Sequence, residues 1–465
     1  MARYKLTRRR FLETAGLCAA ASALPACRKT GIDGRRPNIV LILADDLGYG
    51  DLGCYGQKKF STPFIDSLAA GGMRFTQHYS GSTVCAPSRC SLLTGLHTGH
   101  AAVRGNRELQ PEGQASMPPG TVTIPLLLKE AGYTSGVFGK WGLGAPGSDS
   151  DPSVYFDEFF GYNCQRQAHN YYPDHLWRNR ERLRLDGKAY SHDLILEAAM
   201  DFIWNCKDRP FFCYMPLTIP HASMHAPEAL HGKYRRLFPD FENGIGRYSG
   251  PDVHNPVAAF PAMMEHLDNG VGQILGLLKE LGLVEDTIVF FSSDNGPHAE
   301  GGHDPEFWDS NGTLRGMKRD LYEGGIRVPF LACWPGKIRP GSTSDHVSAF
   351  WDMMPTLCEI AGLRPQGNTD GISMLPTLKG KRQKQHGFLY WEFSERGGGQ
   401  AIRKGDLKAV RLNVTGNPDA EIELYDLAGD PGETRNIASL HPDAAREMER
   451  LFVSARTESK AFPLF

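Results

Sequence analysis

The stretch Asn38–Ala44 reads NIVLILA, and two aspartates, Asp45 and Asp46, follow it at once. A continuous apolar, β-branched run of this length is what a strand covered on both faces requires, because neither side can be left to water. The pattern recurs in Thr134–Phe138, Pro210–Leu217 and Thr287–Ser292. Each of these runs also opens onto polar residues: Gly139-Lys140-Trp141, Pro220-His221 and Asp294-Asn295-Gly296 respectively. Between the runs lie segments of helical periodicity, Pro63–Ala70, Ile124–Ala131, His192–Trp204 and Met263–Leu281. Strands alternating with helices predict an α/β fold, a large and mostly parallel sheet sandwiched by helices. In open sheets of this kind ligands collect at the carboxyl ends of the strands. Four strand exits therefore bring three carboxylates, an amide, a lysine and a histidine to one edge.

From about Gln385 the texture changes. Phe388–Phe393, Gln400–Lys404, Leu407–Leu412 and Glu421–Asp426 read as short strands joined by Gly-rich turns, and a helical segment, Pro442–Arg456, follows. This predicts a smaller C-terminal antiparallel sheet with one helix, so that residues 38–384 form the main domain and 385–465 a subdomain. A length of 465 residues suits that division. The formal net charge of −2 and the lack of a sustained Lys/Arg stripe beyond the first residues exclude nucleic acid as a partner.

The N-terminus reads as an export signal over residues 1–27. Arg8-Arg9-Arg10-Phe11-Leu12 precedes a short apolar stretch, Ala15–Ala26, too short to span a bilayer. The paired arginines resemble a twin-arginine signal, and Leu24-Pro25-Ala26-Cys27 resembles a lipoprotein cleavage box, with Pro25 unusual there. The expectation is a protein at the periplasm or cell surface, with membrane contact only through a lipid anchor at Cys27 and a polar linker over 28–37. The remaining cysteines outside the signal and Cys85 are scattered without paired spacing, which predicts buried thiols and no zinc cluster.

Taken singly, an Asp-Asp or an Asp-Asn-Gly is a helix cap or a turn. Two such clusters, each closing an apolar strand, point to a cation site. Asp45, Asp46, Asp294 and Asn295 offer only oxygen donors, which suit Ca²⁺ or Mg²⁺. The segment Cys85-Ala86-Pro87-Ser88-Arg89, followed by Leu93-Thr94-Gly95, is the most specific motif in the chain. It resembles the signature of the formylglycine-dependent sulfatases, members of the alkaline-phosphatase-like superfamily. Gly139-Lys140-Trp141, Pro220-His221, Ser293-Asp294-Asn295-Gly296, Gly316-Met317-Lys318 and Glu323-Gly324-Gly325-Ile326-Arg327-Val328-Pro329 match the same family, so the resemblance covers nearly all of the chain after Asn38.

That resemblance implies a sulfuric ester hydrolase whose Cys85 is oxidised to formylglycine by a maturation enzyme. The aldehyde hydrate attacks sulfur through one hydroxyl, and its second hydroxyl then expels sulfate by C–O cleavage. The cation would be bound by Asp45, Asp46, Asp294, Asn295 and the modified Cys85. Arg89 would hold the formylglycine hydroxyl, while Lys140 and Lys318 neutralise the transferring group. His221 would bind sulfate or protonate the leaving alcohol. Many members carry Gly-Lys-Trp-His-Leu-Gly, whereas this chain reads Gly139-Lys140-Trp141-Gly142-Leu143-Gly144. Gly142 transfers no proton, which leaves the base to His221, to His298 or His303, or to a carboxylate.

For the substrate, Gln165–Pro173 and Leu176–Asn179 form a polar, aromatic segment whose rings and planar donors suit sugars. It resembles carbohydrate sulfatases of marine and gut bacteria, including those that act on galactose or N-acetylgalactosamine 4-sulfate. His169, Arg178, His303 and Asp304, with Arg319-Asp320, are the candidate substrate contacts, on a sulfated carbohydrate or an aryl sulfate. The alternatives are a formylglycine-dependent phosphonate or phosphate ester hydrolase and a non-catalytic glycan-binding homologue.

Overall fold

The computed structural model describes residues 36–364 and 367–465. The export signal, Cys27 and all but the last two residues of the linker lie outside the described residues. β1 (Asn38–Ala44) is buried along its whole length. Val40, Ile42 and Ala44 enter the core on one face of the sheet, and Ile39, Leu41 and Leu43 enter the core on the other. The continuous apolar run thus reflects two cores, not one.

After β1 come α1 (Pro63–Gly71), β2 (Met73–Tyr79), α2 (Cys85–Thr94), α3 (Ile124–Glu130), β3 (Thr134–Lys140) and β4 (Glu158–Tyr162). A hairpin of β5 (His175–Arg178) and β6 (Glu181–Arg184) precedes α4 (Ser191–Cys206), β7 (Phe211–Pro216), α5 (Pro256–Glu280) and β8 (Thr287–Ser293). β9 (Arg327–Cys333), β10 (Ser342–Ser344), β11 (Ser348–Ala349) and α6 (Met353–Ile360) complete this part. The eleven strands run in the order β10-β2-β9-β8-β1-β7-β3-β4-β5-β6, with β11 also beside β2. Helices α1, α4 and α5 pack on one face and α2, α3 and α6 on the other.

The five central strands, β8-β1-β7-β3-β4, are parallel. The flanks are mixed: β9 runs antiparallel to both β8 and β2, and the β5–β6 hairpin runs back along β4. Sequence periodicity misses these flanking strands because β2 (MRFTQHY) is half polar and β9 carries Pro329. Helix α5 starts seven residues before the expected Met263. Asn255 caps it by accepting the Ala258 N–H at 3.0 Å, Pro256 fills its first position, and Pro261 is tolerated in its second turn. The eight cysteines among the described residues are all free thiols. No helix among the described residues is long and apolar enough to cross a membrane.

The C-terminal part is an antiparallel meander of β12 (Leu389–Phe393), β13 (Gly399–Lys404), β14 (Leu407–Leu412) and β15 (Ile422–Asp426), followed by α7 (Pro442–Ser454). Met448 and Phe452 of α7 cover one face, against Tyr390, Ile402, Ala409 and Leu424. The other face, with Trp391, Ala401 and Val410, packs on Tyr79, Ile326 and Trp351 of the main sheet region. A buried ion cluster closes this junction. The Lys408 ammonium lies 3.0 Å from Glu323 and 2.9 Å from Glu433, with all three side chains fully enclosed.

Candidate active site

Register builds the centre of the site. β1 and β8 pair in parallel from Asn38↔Thr287 to Ala44↔Ser293, so the next residues, Asp45 and Asp294, emerge side by side. Asp46 turns into the left-handed region at φ 62°, and its N–H donates to the Asp294 carboxylate at 3.1 Å. Asn295 Nδ2 donates to Asp46 Oδ1 at 2.7 Å. Lys140 ends β3 two strands away, and His221 follows β7 in the loop anchored by the Tyr171 hydroxyl, which donates to the carbonyls of Thr218 and His221.

Cys85 is the first residue of α2, a helix whose every residue is buried. Its thiol donates to Asp45 Oδ1 at 3.3 Å. Arg89, one turn on, lies on the same helix face. It makes a two-pronged contact with Asp294 Oδ2 (Nε 3.0 Å, Nη2 2.8 Å) and donates to the Lys140 carbonyl at 2.8 Å. Ser88 Oγ donates to the Asp294 carbonyl at 2.5 Å, which pins the helix to the end of β8. Lys140 Nζ contacts Asp45 at 2.6 Å, while Lys318 Nζ donates to Asp46 at 2.7 Å and to His221 Nε2 at 2.7 Å. His221 Nδ1–H donates to the Ala222 carbonyl, which leaves Nε2 as the acceptor facing Lys318.

Three carboxylates thus meet three cations in an enclosed space. Burial alone would raise the pKa of Asp45, but Lys140 and Arg89 hold it well below the usual carboxylate range. Burial and then the neighbouring Asp45 raise Asp294 despite Arg89. Burial lowers His221, and Lys318 lowers it further, so the imidazole is neutral. Burial, reinforced by Asp45, pushes the Cys85 thiol up, which makes the unmodified sulfur a poor nucleophile at neutral pH.

The oxygen donors of Asp45, Asp46, Asp294 and Asn295 suit a hard divalent cation. Donor atoms of Asp45, Asp46, Cys85 and His221 all lie within 4.8 Å of one another. Asn295 Oδ1 is buried without a hydrogen-bond donor, an arrangement that costs free energy unless a cation faces it.

Of the sequence-derived substrate contacts, His169 and Arg319 are at the mouth of the site. His169 stacks on His221 with ring centres 4.3 Å apart. Beside it are two residues that sequence reading missed: Tyr248, edge-on to both imidazoles, and Glu300, which pairs with Arg319 at 2.5 Å and approaches Lys318 at 3.7 Å. Glu300 lies in the same segment as Asp294-Asn295, which was the available signal. Asp320 closes a turn by accepting the Met317 N–H at 2.9 Å, and the other three are placed elsewhere. Arg178 is opposite Phe160 in the antiparallel β4–β5 pair and reaches Glu158, toward the amino ends of the parallel strands. His303 sits behind His298, stacked on Phe260 of α5. Asp304 caps a turn by accepting the Phe307 N–H at 2.8 Å.

Gly142 adopts φ +70°, and a side-chain carbon there would stand 3.1 Å from Gln165 Nε2. The Gln165 amide therefore fills the space that a ring at 142 would need. His221 is the imidazole directly at the centre, with His298 one ring behind it at 5.4 Å.

A mixed α/β sheet whose carboxyl edge presents a buried cysteine, clustered carboxylates and three buried cations is suited to a hydrolase of tetrahedral anionic esters. Comparison with known proteins narrows the class. The sulfatase family model matches residues 37–363, and the model of the N-sulphoglucosamine sulphohydrolase C-terminal region matches 316–454. Human arylsulfatase A is 33% identical over 90% of this chain and 87% of its own length. Mouse N-acetylgalactosamine-6-sulfatase is 32% identical over 97% of this chain and 84% of its own. The crystal structure of Ps i-CgsB in complex with k-i-k-neocarrahexaose superposes with a TM-score of 0.78 at 26% identity, covering 90% of this chain and 93% of that one. The chain belongs to the sulfatase family and is a sulfuric ester hydrolase.

Proposed function

We propose that this protein removes sulfate from a sulfated carbohydrate of the galactose or N-acetylgalactosamine type, using formylglycine made from Cys85. The observation that carries this reading is the convergence of Cys85, Arg89, Lys140 and Lys318 on the three carboxylates in one enclosed space. The names of relatives support the sugar class, since one acts on N-acetylgalactosamine 6-sulfate and another binds a neocarrahexaose. The sulfate position, 4 or 6, is an outcome of the test.

Asp45, Asp46, Asp294 and Asn295, with the modified Cys85, would hold Ca²⁺ or Mg²⁺. When bound, that cation supplies Lewis-acid polarisation of a sulfate oxygen. Oxidation of Cys85 to the aldehyde, followed by addition of water, would supply a hydroxyl nucleophile and the second hydroxyl whose deprotonation releases sulfate. The chain's own groups do the rest. Arg89, fixed by Asp294, orients the side chain at position 85. Lys140 and Lys318 are held at the ester by Asp45 and Asp46, where they offset charge that builds on the sulfuryl oxygens. His221 Nε2, which carries the lone pair, would act as a base and accept the proton of the second hydroxyl, a role consistent with its neutral state. His169 and Tyr248 offer ring faces to the sugar at the mouth. Export through the twin-arginine route, with lipid anchoring at Cys27, is part of the same proposal. A folded export route requires oxidation of Cys85 in the cytoplasm, before folding encloses it.

The test couples mass to activity. Protein co-expressed with a maturation enzyme should show, on its Cys85 peptide, the mass loss of converting CH2–SH to CHO. That protein should hydrolyse sulfated galactose or N-acetylgalactosamine faster than 4-nitrophenyl phosphate or phenylphosphonate. Converted protein that turns over no sulfate ester, or that prefers the phosphonate, would overturn the reading.

A further inference from the structure

Along the open edge of the large sheet, outside the catalytic centre, runs a groove of about 900 Å³. One wall is the turn before β10, with Lys337 and Arg339; the other is the loop after Leu378, with Lys379 and Lys381. These four cations are exposed and form no ion pair among the described residues. Two acids line the groove, Asp345 and Asp406, and the second of them lies 3.9 Å from Arg403. The net field in the groove is therefore positive.

The loop carrying Lys379 and Lys381 is held in place. Gln383 donates to the Ser373 carbonyl at 2.9 Å and accepts from the Thr377 N–H at 3.1 Å and the Thr377 hydroxyl at 2.9 Å. At the floor, His346 is 6% exposed, and its Nδ1 contacts Gln385 Oε1 at 3.2 Å. With Nδ1–H donating to that oxygen, Nε2 carries the lone pair, and it is buried without a partner. That nitrogen lies beneath the floor, closed off from the groove. The four cations, two on each wall, are placed to face anionic groups laid along the groove.

We propose that this groove is a second binding site for an anionic glycan, which holds a remote stretch of a sulfated chain while another residue of it occupies the catalytic centre. A sulfated polysaccharide offers anionic groups at every few residues. Single-stranded nucleic acid offers the charge but gains its affinity by stacking bases on rings, and no Phe, Tyr or Trp is among the described residues that line the groove. The choice of a sulfated chain rests on the function proposed above; the site itself does not.

The experiment uses full-length protein carrying Cys85→Ser, which binds without turnover. Its affinity for immobilised chondroitin 4-sulfate and κ-carrageenan is compared with that of Lys337→Glu/Arg339→Glu and Lys379→Glu/Lys381→Glu in the same background, with thermal melting to confirm folding. Wild-type surface should bind one or both chains in a salt-dependent manner, and each double variant should lose about tenfold in affinity. In the active background the variants should raise KM for the chain and leave 4-nitrophenyl sulfate turnover unchanged. Unchanged affinity in both variants, binding to neither chain, or equally tight binding of single-stranded DNA would each overturn the proposal. Should the enzyme turn over no sulfate ester, the binding result still stands, so the two readings fail separately.

Discussion

Replacing Lys408 by Met tests whether the buried ion cluster holds the C-terminal sheet to the body of the protein. The side chain is fully enclosed between Glu323 and Glu433. Removing one partner of a buried pair costs about 3–5 kcal/mol, because the remaining charge is left uncompensated. The two glutamates differ in what remains to them. Glu323 keeps the Tyr79 hydroxyl at 2.6 Å and Arg327 at 3.2 Å, and against the pull of burial Lys408 and Arg327 hold it below the usual range. Glu433 keeps only the Glu323 N–H at 2.6 Å among its direct donors, and burial already raises its pKa. The loss therefore concentrates on Glu433 and belongs in the lower part of that range, about 3–4 kcal/mol. Its sign with pH follows. A carboxyl whose folded pKa lies above its unfolded value contributes stability at low pH and loses it as pH rises. The deficit of Lys408→Met should thus be largest above neutrality and shrink toward pH 5. Urea unfolding followed by Trp fluorescence at both pH values measures it. Adding Glu433→Gln, which keeps the acceptor for the Glu323 N–H, should recover most of the loss. A deficit below about 1 kcal/mol, or no recovery in the double variant, would refute the assignment.

Asp51 is fully enclosed, accepts the Gly48 N–H at 2.7 Å, and is pushed up to about 7 by burial. Between about pH 4 and 7 the folded chain holds one proton more than the unfolded chain, so stability falls by about 1.4 kcal/mol per pH unit. Asp51→Asn should match wild type near pH 4 and exceed it by about 3–4 kcal/mol at pH 8, read from urea midpoints; equal midpoints at both ends would contradict this. Lys140→Met in protein with confirmed Cys85 conversion should lower kcat about 10²–10³-fold on any sulfate ester, as expected for loss of a buried charge at the reacting group. Gly142→Ala should cost about 1–2 kcal/mol from its left-handed backbone, and more from the Gln165 contact. Gln165→Ala in the same chain should return the second part only, as measured by thermal melting.

What the sequence made legible follows from burial on both faces. β1 and β8 can be seen as strands because both sides need apolar residues, and their shared register then brings Asp45 beside Asp294. The Cys85 segment was legible because its residue types are specific at fixed spacing. Strand direction was not legible at the flanks. Arg178 belongs to a segment of sugar-binding character, yet the antiparallel β5 carries it toward the far edge of the sheet, while His169 in the preceding turn stays at the site. Gln165 against Gly142 is a contact between two loops after neighbouring strands, and no local pattern records it. Tyr248 is missed for the same reason: only the fold places it on His221.

The helix that begins at Cys85 is buried throughout, and under the proposed maturation its residues serve two readers. An oxidising enzyme must meet them as an extended strand of unfolded chain, while the finished fold meets them as a packed helix with Arg89 aimed at Asp294. The two readers impose independent demands on one short text. A substitution that packs well can still go unrecognised, which yields a folded and inert protein; one that is recognised can still fail to pack. Expression yield and specific activity should therefore vary independently across variants of this segment, and neither is a proxy for the other.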